Sequence, residues 1–174
     1  MDIWVAERRD AVDRVLARYL GRAPVYVAGP RGKPALEGGE IEFNVSHSGG
    51  LVALAVARGR AVGVDIERIT ETPPRARIAE HFFAPAEVAA LRALPADEQT
   101  EAFFRCWTRK EAYLKARGDG LSVELASFAV SLDRDPRAGM TDTRWSFHSF
   151  TPAPGYAGAV VLAGPMGRLT VRRW

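Results

Sequence analysis

The sequence predicts an α+β fold on three observations: an amphipathic helical pattern near its start, short runs of β-branched residues after it, and a helix-forming central block that separates two groups of strands. Strict strand–helix alternation, the mark of a parallel α/β sheet, is missing. Residues 5–20 set Val5, Val12, Val15, Leu16, Tyr19 and Leu20 near helical spacing, and Gly21 and Pro24 close the segment. Residues 24–27 suit a short strand, with a Gly/Pro/Lys loop over 29–34. Three β-branched or apolar runs at 41–45, 51–57 and 61–66 are parted by Ser-Gly-Gly and Arg-Gly-Arg turns, which predicts a small antiparallel sheet. Between 74 and 115 alanine, leucine, glutamate and arginine dominate with prolines at 85 and 95. Two or three helices are expected there, the longest over 97–117. Strands return at 128–132, 145–150, 156–162 and 169–171, with Pro152, Pro154 and Pro165 in the turns.

At 174 residues and 47% hydrophobic content the chain can bury one core, or two small lobes sharing one. One cysteine, Cys106, excludes an internal disulfide, and charges scattered through the opening residues do not describe a leader peptide, so a cytoplasmic location is expected. No apolar run approaches the roughly 20 residues of a membrane span. The formal charge of +3 suits solubility first and acidic partners second. Nucleic-acid binding lacks a recognition-helix, zinc or aromatic RNA-binding signature and is not expected.

Three segments could carry chemistry. In Val62-Gly63-Val64-Asp65-Ile66-Glu67 the alternation puts Asp65 and Glu67 on one strand face, where two carboxylates repel unless a cation separates them. Oxygen ligands of this kind suit Mg²⁺, which keeps substrate phosphates in its shell; solvated acids on an exposed strand are the plainer alternative. In Trp107-Thr108-Arg109-Lys110-Glu111-Ala112-Tyr113-Leu114-Lys115, Glu111 and Lys115 share a helix face, as a surface ion pair or as a metal ligand beside a phosphate contact. Phe43-Asn44-Val45-Ser46-His47-Ser48-Gly49-Gly50 reads as a polar loop at a strand end, able to surround a phosphate or to form a simple turn. Adjacent Ser and His rarely give nucleophile–base geometry and no G-x-S-x-G elbow is present, so hydrolysis is set aside. Gly32-Lys33-Pro34 lacks Walker spacing and alone is a solvated turn.

Taken in order, Gly32-Lys33-Pro34, Asn44-Val45-Ser46-His47-Ser48, Gly63-Val64-Asp65-Ile66-Glu67, Phe82-Phe83-Ala84-Pro85-Ala86-Glu87 and Trp107-Thr108-Arg109-Lys110-Glu111-Ala112 with Lys115 resemble the 4′-phosphopantetheinyl transferase family, surfactin-synthetase-activating type. The resemblance implies an α+β pseudo-dimer of two similar lobes around a coenzyme A cleft. A shortened first lobe would span 1–62, and a second lobe, 63–174, would carry the metal site and the carrier-protein contact. It implies Asp65, Glu67 and Glu111 as ligands of Mg²⁺, or Mn²⁺ in its place, and Lys115 on the phosphate. Lys33 and Pro34 match the adenine side, Ser46 and His47 the 3′-phosphate side, and Glu87 a supporting or proton-accepting carboxylate. The implied reaction moves the phosphopantetheine arm of coenzyme A to a serine of an apo acyl or peptidyl carrier protein, releasing 3′,5′-ADP. Glu111 is the first candidate to take the serine proton and Glu87 the second. Such carriers serve fatty acid, polyketide or nonribosomal peptide synthesis. Residues 68–83, with Arg75, Arg77 and His81, match the carrier contact. The chain departs from the family type in the short stretch ahead of Gly32, for which Arg8 and Arg9 substitute only in part. A monomer is expected, with self-association through the shortened lobe as one alternative and a non-catalytic binding homologue as another.

Overall fold

The computed structural model describes residues 1–7, 11–71, 75–118 and 123–174. Nine strands and four helices follow in the order β1 (Asp2–Ala6), α1 (Ala11–Leu20), β2 (Tyr26–Ala28), β3 (Pro34–Leu36), β4 (Ile41–Ser48), β5 (Leu51–Arg58), β6 (Val62–Arg68), α2 (Arg75–Phe82), α3 (Pro85–Ala93), α4 (Ala96–Arg117), β7 (Trp145–Phe150), β8 (Tyr156–Ala163) and β9 (Thr170–Arg173). The α+β class is as the sequence predicts.

The strands form two main sheets. The first has the order β4-β5-β1-β9, antiparallel except for β1 beside β9, and the second is an antiparallel β6-β8-β7. Strands β2 and β3 make a separate hairpin. The main sheets pack face to face through Ile3, Ala53, Ala55, Val64, Ile66 and Val160. Outside the first sheet lies α1, whose Val15 and Leu16 meet Phe43, Leu54 and Val56. Outside the second lies α4, whose Phe103, Cys106, Ala112 and Tyr113 meet Phe147, Ala159 and Val161. The molecule is therefore two halves, each a sheet with a helix on its outer face, joined sheet to sheet.

Three expectations are corrected. The opening segment is not one helix from residue 5: Val5 lies in β1, paired with Ala53, and the helix begins at Ala11. The run 61–66 does not join its two predecessors in one sheet, because β6 takes β8 as its ladder partner. Residues 128–132 form no strand, and side chains of α3 and α4 take backbone groups of Phe128, Val130 and Ser131. Strand β9, near the end of the chain, lies in the first sheet beside β1. Arg8 and Arg9 lie outside the described residues, as do 72–74 of the expected carrier contact.

The 22-residue α4 follows its composition, with Asp97 and Glu98 in its first turn and Lys115 and Arg117 in its last, both favourable to the helix dipole. Gly118 ends it at φ 70°, where its N–H reaches the Leu114 carbonyl at 3.0 Å. This helix crosses β6 directly over Gly63. A Cβ on that residue would sit 2.1 Å from the Ala112 carbonyl oxygen and 2.3 Å from the Ala116 nitrogen. Only glycine permits the approach, and the approach carries Glu111 and Lys115 toward the carboxylates of the same strand.

Candidate active site

Gly63, Asp65 and Glu67 alternate with Val64 and Ile66, which are buried between the sheets. The acids therefore face α4. There Lys115 Nζ donates to Asp65 Oδ1 at 2.6 Å and to Ser46 Oγ at 3.2 Å. The pairing anticipated between Glu111 and Lys115 gives way to this contact across elements. Glu111 is half-buried on the same helix face, and no hydrogen bond holds its carboxylate among the described residues.

Asp65 is almost fully buried, accepts from Ser46 Oγ at 2.9 Å, and keeps its second oxygen, Oδ2, buried without a hydrogen-bond partner. Burial pushes its carboxyl above the usual carboxylate range, while Lys115 and Ser46 oppose the rise. Glu67 is raised by burial and then by the Asp65 charge, against a hydrogen bond from Ser48. Glu111 is raised by burial first, with Asp65 and Glu67 adding to it and Lys115 opposing. The three acids thus feel one another's charge. Among the described residues they are not drawn into a closed metal-holding group. An orphaned buried oxygen beside two further carboxylates in mutual repulsion nonetheless suits a hard divalent cation, which takes oxygen ligands and leaves room for phosphate.

A cavity of about 700 Å³ opens beside this cluster, with Lys33, Asn44, Glu111 and Lys115 on one side and Phe82 and Leu125 on the other. Lys33 reaches the Val62 carbonyl at 3.0 Å, and burial lowers its ammonium below the usual lysine range, against Glu42. Pro34, beside it, is exposed at the start of β3. A second, more apolar hollow of about 420 Å³ lies at Glu67, with Ser48, Arg68, Ile78, Phe103 and Trp107 in its walls.

The segment read as a polar loop is strand, since β4 runs through to Ser48. Ser46 and His47 consequently project to opposite faces of the sheet. Ser46 is buried against Asp65, whereas His47 is exposed on the face that carries α1.

Glu87, expected as a supporting or proton-accepting carboxylate, sits in a buried polar network. It is 2% exposed, accepts from Lys110 Nζ at 2.7 and 2.9 Å, and takes the N–H groups of Ala84 (2.7 Å) and Val130 (2.6 Å). With its oxygens satisfied in this way it caps α3 and ties α4 to residue 130. Two charged residues that sequence reasoning passed over complete that scaffold. Lys110 also donates to the Phe128 carbonyl at 2.5 Å, and Arg109 holds Ser131 O, Asp135 O and Ser149 Oγ at 2.6, 2.8 and 2.9 Å. The only sequence signal for them is three consecutive charged residues, Arg109 to Glu111, in a helix whose neighbours are apolar on both sides: the charges cannot all face solvent.

Comparison with known proteins shows what the chain is similar to. The chain is 38% identical over 165 residues to the 4′-phosphopantetheinyl transferase HetI of Nostoc sp., covering 90% of this chain and 69% of that protein. It is 35% identical over 139 residues to the 4′-phosphopantetheinyl transferase Sfp of Bacillus subtilis, covering 77% and 61%. Across several other curated relatives it spans about half of their length, 49% and 43% in two of them. Among solved structures, the Thermotoga maritima holo-[acyl-carrier-protein] synthase (AcpS) aligns over 61% of this chain and 64% of its own, with a TM-score of 0.46 and 18% identity. The family pattern described as the 4′-phosphopantetheinyl transferase superfamily matches residues 61–161, which takes in β6, the three central helices and the pairing of β6 with β8. The strand that bears the acids and the helix that answers them thus lie inside the matched region, and the chain belongs to the 4′-phosphopantetheinyl transferase superfamily.

Proposed function

We propose that this chain transfers the 4′-phosphopantetheine arm of coenzyme A to a serine hydroxyl of an apo carrier protein. One observation carries the reading: Lys115 and the mutually repelling Asp65, Glu67 and Glu111 gather beside a cavity large enough for a nucleotide. In the transfer the serine oxygen forms a bond to the β-phosphorus of coenzyme A, the bridging bond to 3′,5′-ADP breaks, and the serine proton goes to a protein acceptor. Lys115 neutralises charge that grows on the phosphates, and Glu111, at the cavity wall, accepts the proton. Asp65, Glu67 and Glu111 would hold Mg²⁺ or Mn²⁺, which when bound supplies further positive charge against the pyrophosphate. Lys33, in the cavity wall, and Pro34 next to it take the adenine side, Ser46 acts through Asp65, and the exposed His47 near the end of β4 is the residue proposed for the 3′-phosphate.

The carrier approaches over residues 68–83, where Arg77, His81 and Phe82 are exposed and the apolar hollow at Trp107 adjoins Glu67. Basic and apolar surface of this kind complements an acidic helix. Action as a monomer is part of this proposal. Among the described residues no helix is long and apolar enough to cross a membrane.

The test is mass spectrometry of apo carrier proteins incubated with the folded chain, coenzyme A and Mg²⁺. A gain of one phosphopantetheine is expected, and its loss in Asp65→Ala with the fold retained. No gain on fatty acid, polyketide or peptide carriers would refute the assignment, as would full activity in Asp65→Ala.

A further inference from the structure

The edge of β6 that faces away from β8 meets the side chains of β4, and the contact repeats. Asn44 Oδ1 accepts from Val64 N–H at 2.9 Å, Ser46 Oγ from Ile66 N–H at 3.3 Å, and Ser48 Oγ from Arg68 N–H at 3.0 Å. Alternate residues of one strand thereby cap alternate N–H groups of another, as a ladder made by side chains rather than by backbone carbonyls. At two of the three rungs the capping hydroxyl also donates to the acid one position earlier on β6. Ser46 donates to Asp65 Oδ1 at 2.9 Å and Ser48 to Glu67 Oε2 at 2.8 Å. At the remaining rung the earlier residue is Gly63, which has no carboxylate to hold.

We propose that Ser48 is a positioning residue for Glu67. Its hydroxyl is fixed from one side by the Arg68 N–H, so its own proton has one direction left, toward Oε2. One carboxylate oxygen is thus tied to β4, and Oε1 is left without a hydrogen bond among the described residues. The paired contact at Ser46 does the same for Asp65, on the Oδ1 that Lys115 also holds, and leaves Oδ2 without a hydrogen bond among the described residues. Positions 46 and 48 therefore act as a matched pair that sets the aim of both strand acids. Partners one bond removed from a ligand fix its orientation, and their loss weakens metal affinity by about 10- to 100-fold.

The inference rests on the reading of Glu67 as a metal ligand, and the experiment separates the two. Mn²⁺ binding to the chain is followed by the electron paramagnetic resonance of the free ion, alongside kcat and KM for the carrier protein. Ser48→Ala should bind Mn²⁺ about 10-fold more weakly and lose kcat in proportion, with little change in KM for the carrier. Ser48→Thr, which keeps the hydroxyl, should restore both. In the Glu67→Gln background, Ser48→Ala should have no further effect on Mn²⁺ affinity, because the residue acts only through that carboxylate. Unchanged Mn²⁺ affinity in Ser48→Ala, or an equal loss in both backgrounds, would overturn the proposal. A parent chain that transfers phosphopantetheine yet binds no Mn²⁺ would overturn the metal reading and this inference with it, leaving the transfer itself standing. Should Ser48→Ala not fold, the comparison of Ser48→Thr with Ser48→Cys decides, with affinity expected to follow hydroxyl retention and the opposite order counting against it.

Discussion

Lys110 and Glu87 form the most buried ion pair described, at 0% and 2% side-chain exposure, and such a pair is costly to break from one side. Glu87→Ala should lose about 3–5 kcal/mol by urea denaturation, since it leaves a buried ammonium and two backbone N–H groups without their acceptor. Replacing both partners, as Glu87→Gln with Lys110→Met, should recover part of that loss. A Glu87→Ala chain that unfolds at the parental urea midpoint but transfers nothing would return Glu87 to a catalytic role. At Gly63 the argument is steric. Gly63→Ala must push α4 off β6, with about 1–3 kcal/mol of overpacking cost or more, and it should weaken the Lys115 contact to Asp65. The urea midpoint and the transfer rate should fall together. Sequence reasoning named Asp65, Glu67, Glu111 and Lys115 because acids two apart on a strand and an acid–base pair four apart on a helix leave a pattern. It gave no sign of the Lys110 partner of Glu87, because a contact between residues 23 positions apart leaves none.

The elements were largely legible. The three central helices, the long α4 and the strands at 41–48, 51–58, 145–150 and 156–163 all answer to periodicity and turn residues. What escaped was pairing. Strand β1 was absorbed into the following helix because Val5 happens to fit the helical spacing of Val12 and Leu16. The stretch over 128–132 has strand composition but gives its backbone groups to Glu87, Arg109 and Lys110, a choice made by distant charged residues. Arg109→Lys tests that account: lysine cannot reproduce a planar fork to three acceptors, and each lost charged hydrogen bond is worth about 1.5–3 kcal/mol. Hydrogen exchange should rise first over residues 128–139, before α1 or the first sheet responds.

Across the whole molecule, the two halves share the layer between the sheets and exchange a strand at β9, so unfolding should be cooperative rather than stepwise. Cys106 gives a direct gauge. Burial pushes its thiol well above the usual range, with the Glu87 charge adding to the effect, and it should resist alkylation until the core opens. Its iodoacetamide labelling should match the urea transition followed by tryptophan fluorescence, and labelling well before that transition would mean that the α4 side opens separately. The pairing of β6 with β8 has a kinetic corollary. The acid-bearing strand finds its neighbour only after three helices have been laid down, so its ladder closes a long loop, and contacts of that span form late. During refolding the central helices should gather first, and competence to capture a divalent ion should be regained in the slowest phase. A nascent or freshly diluted chain would then pass through a period in which it is compact, helical and catalytically silent.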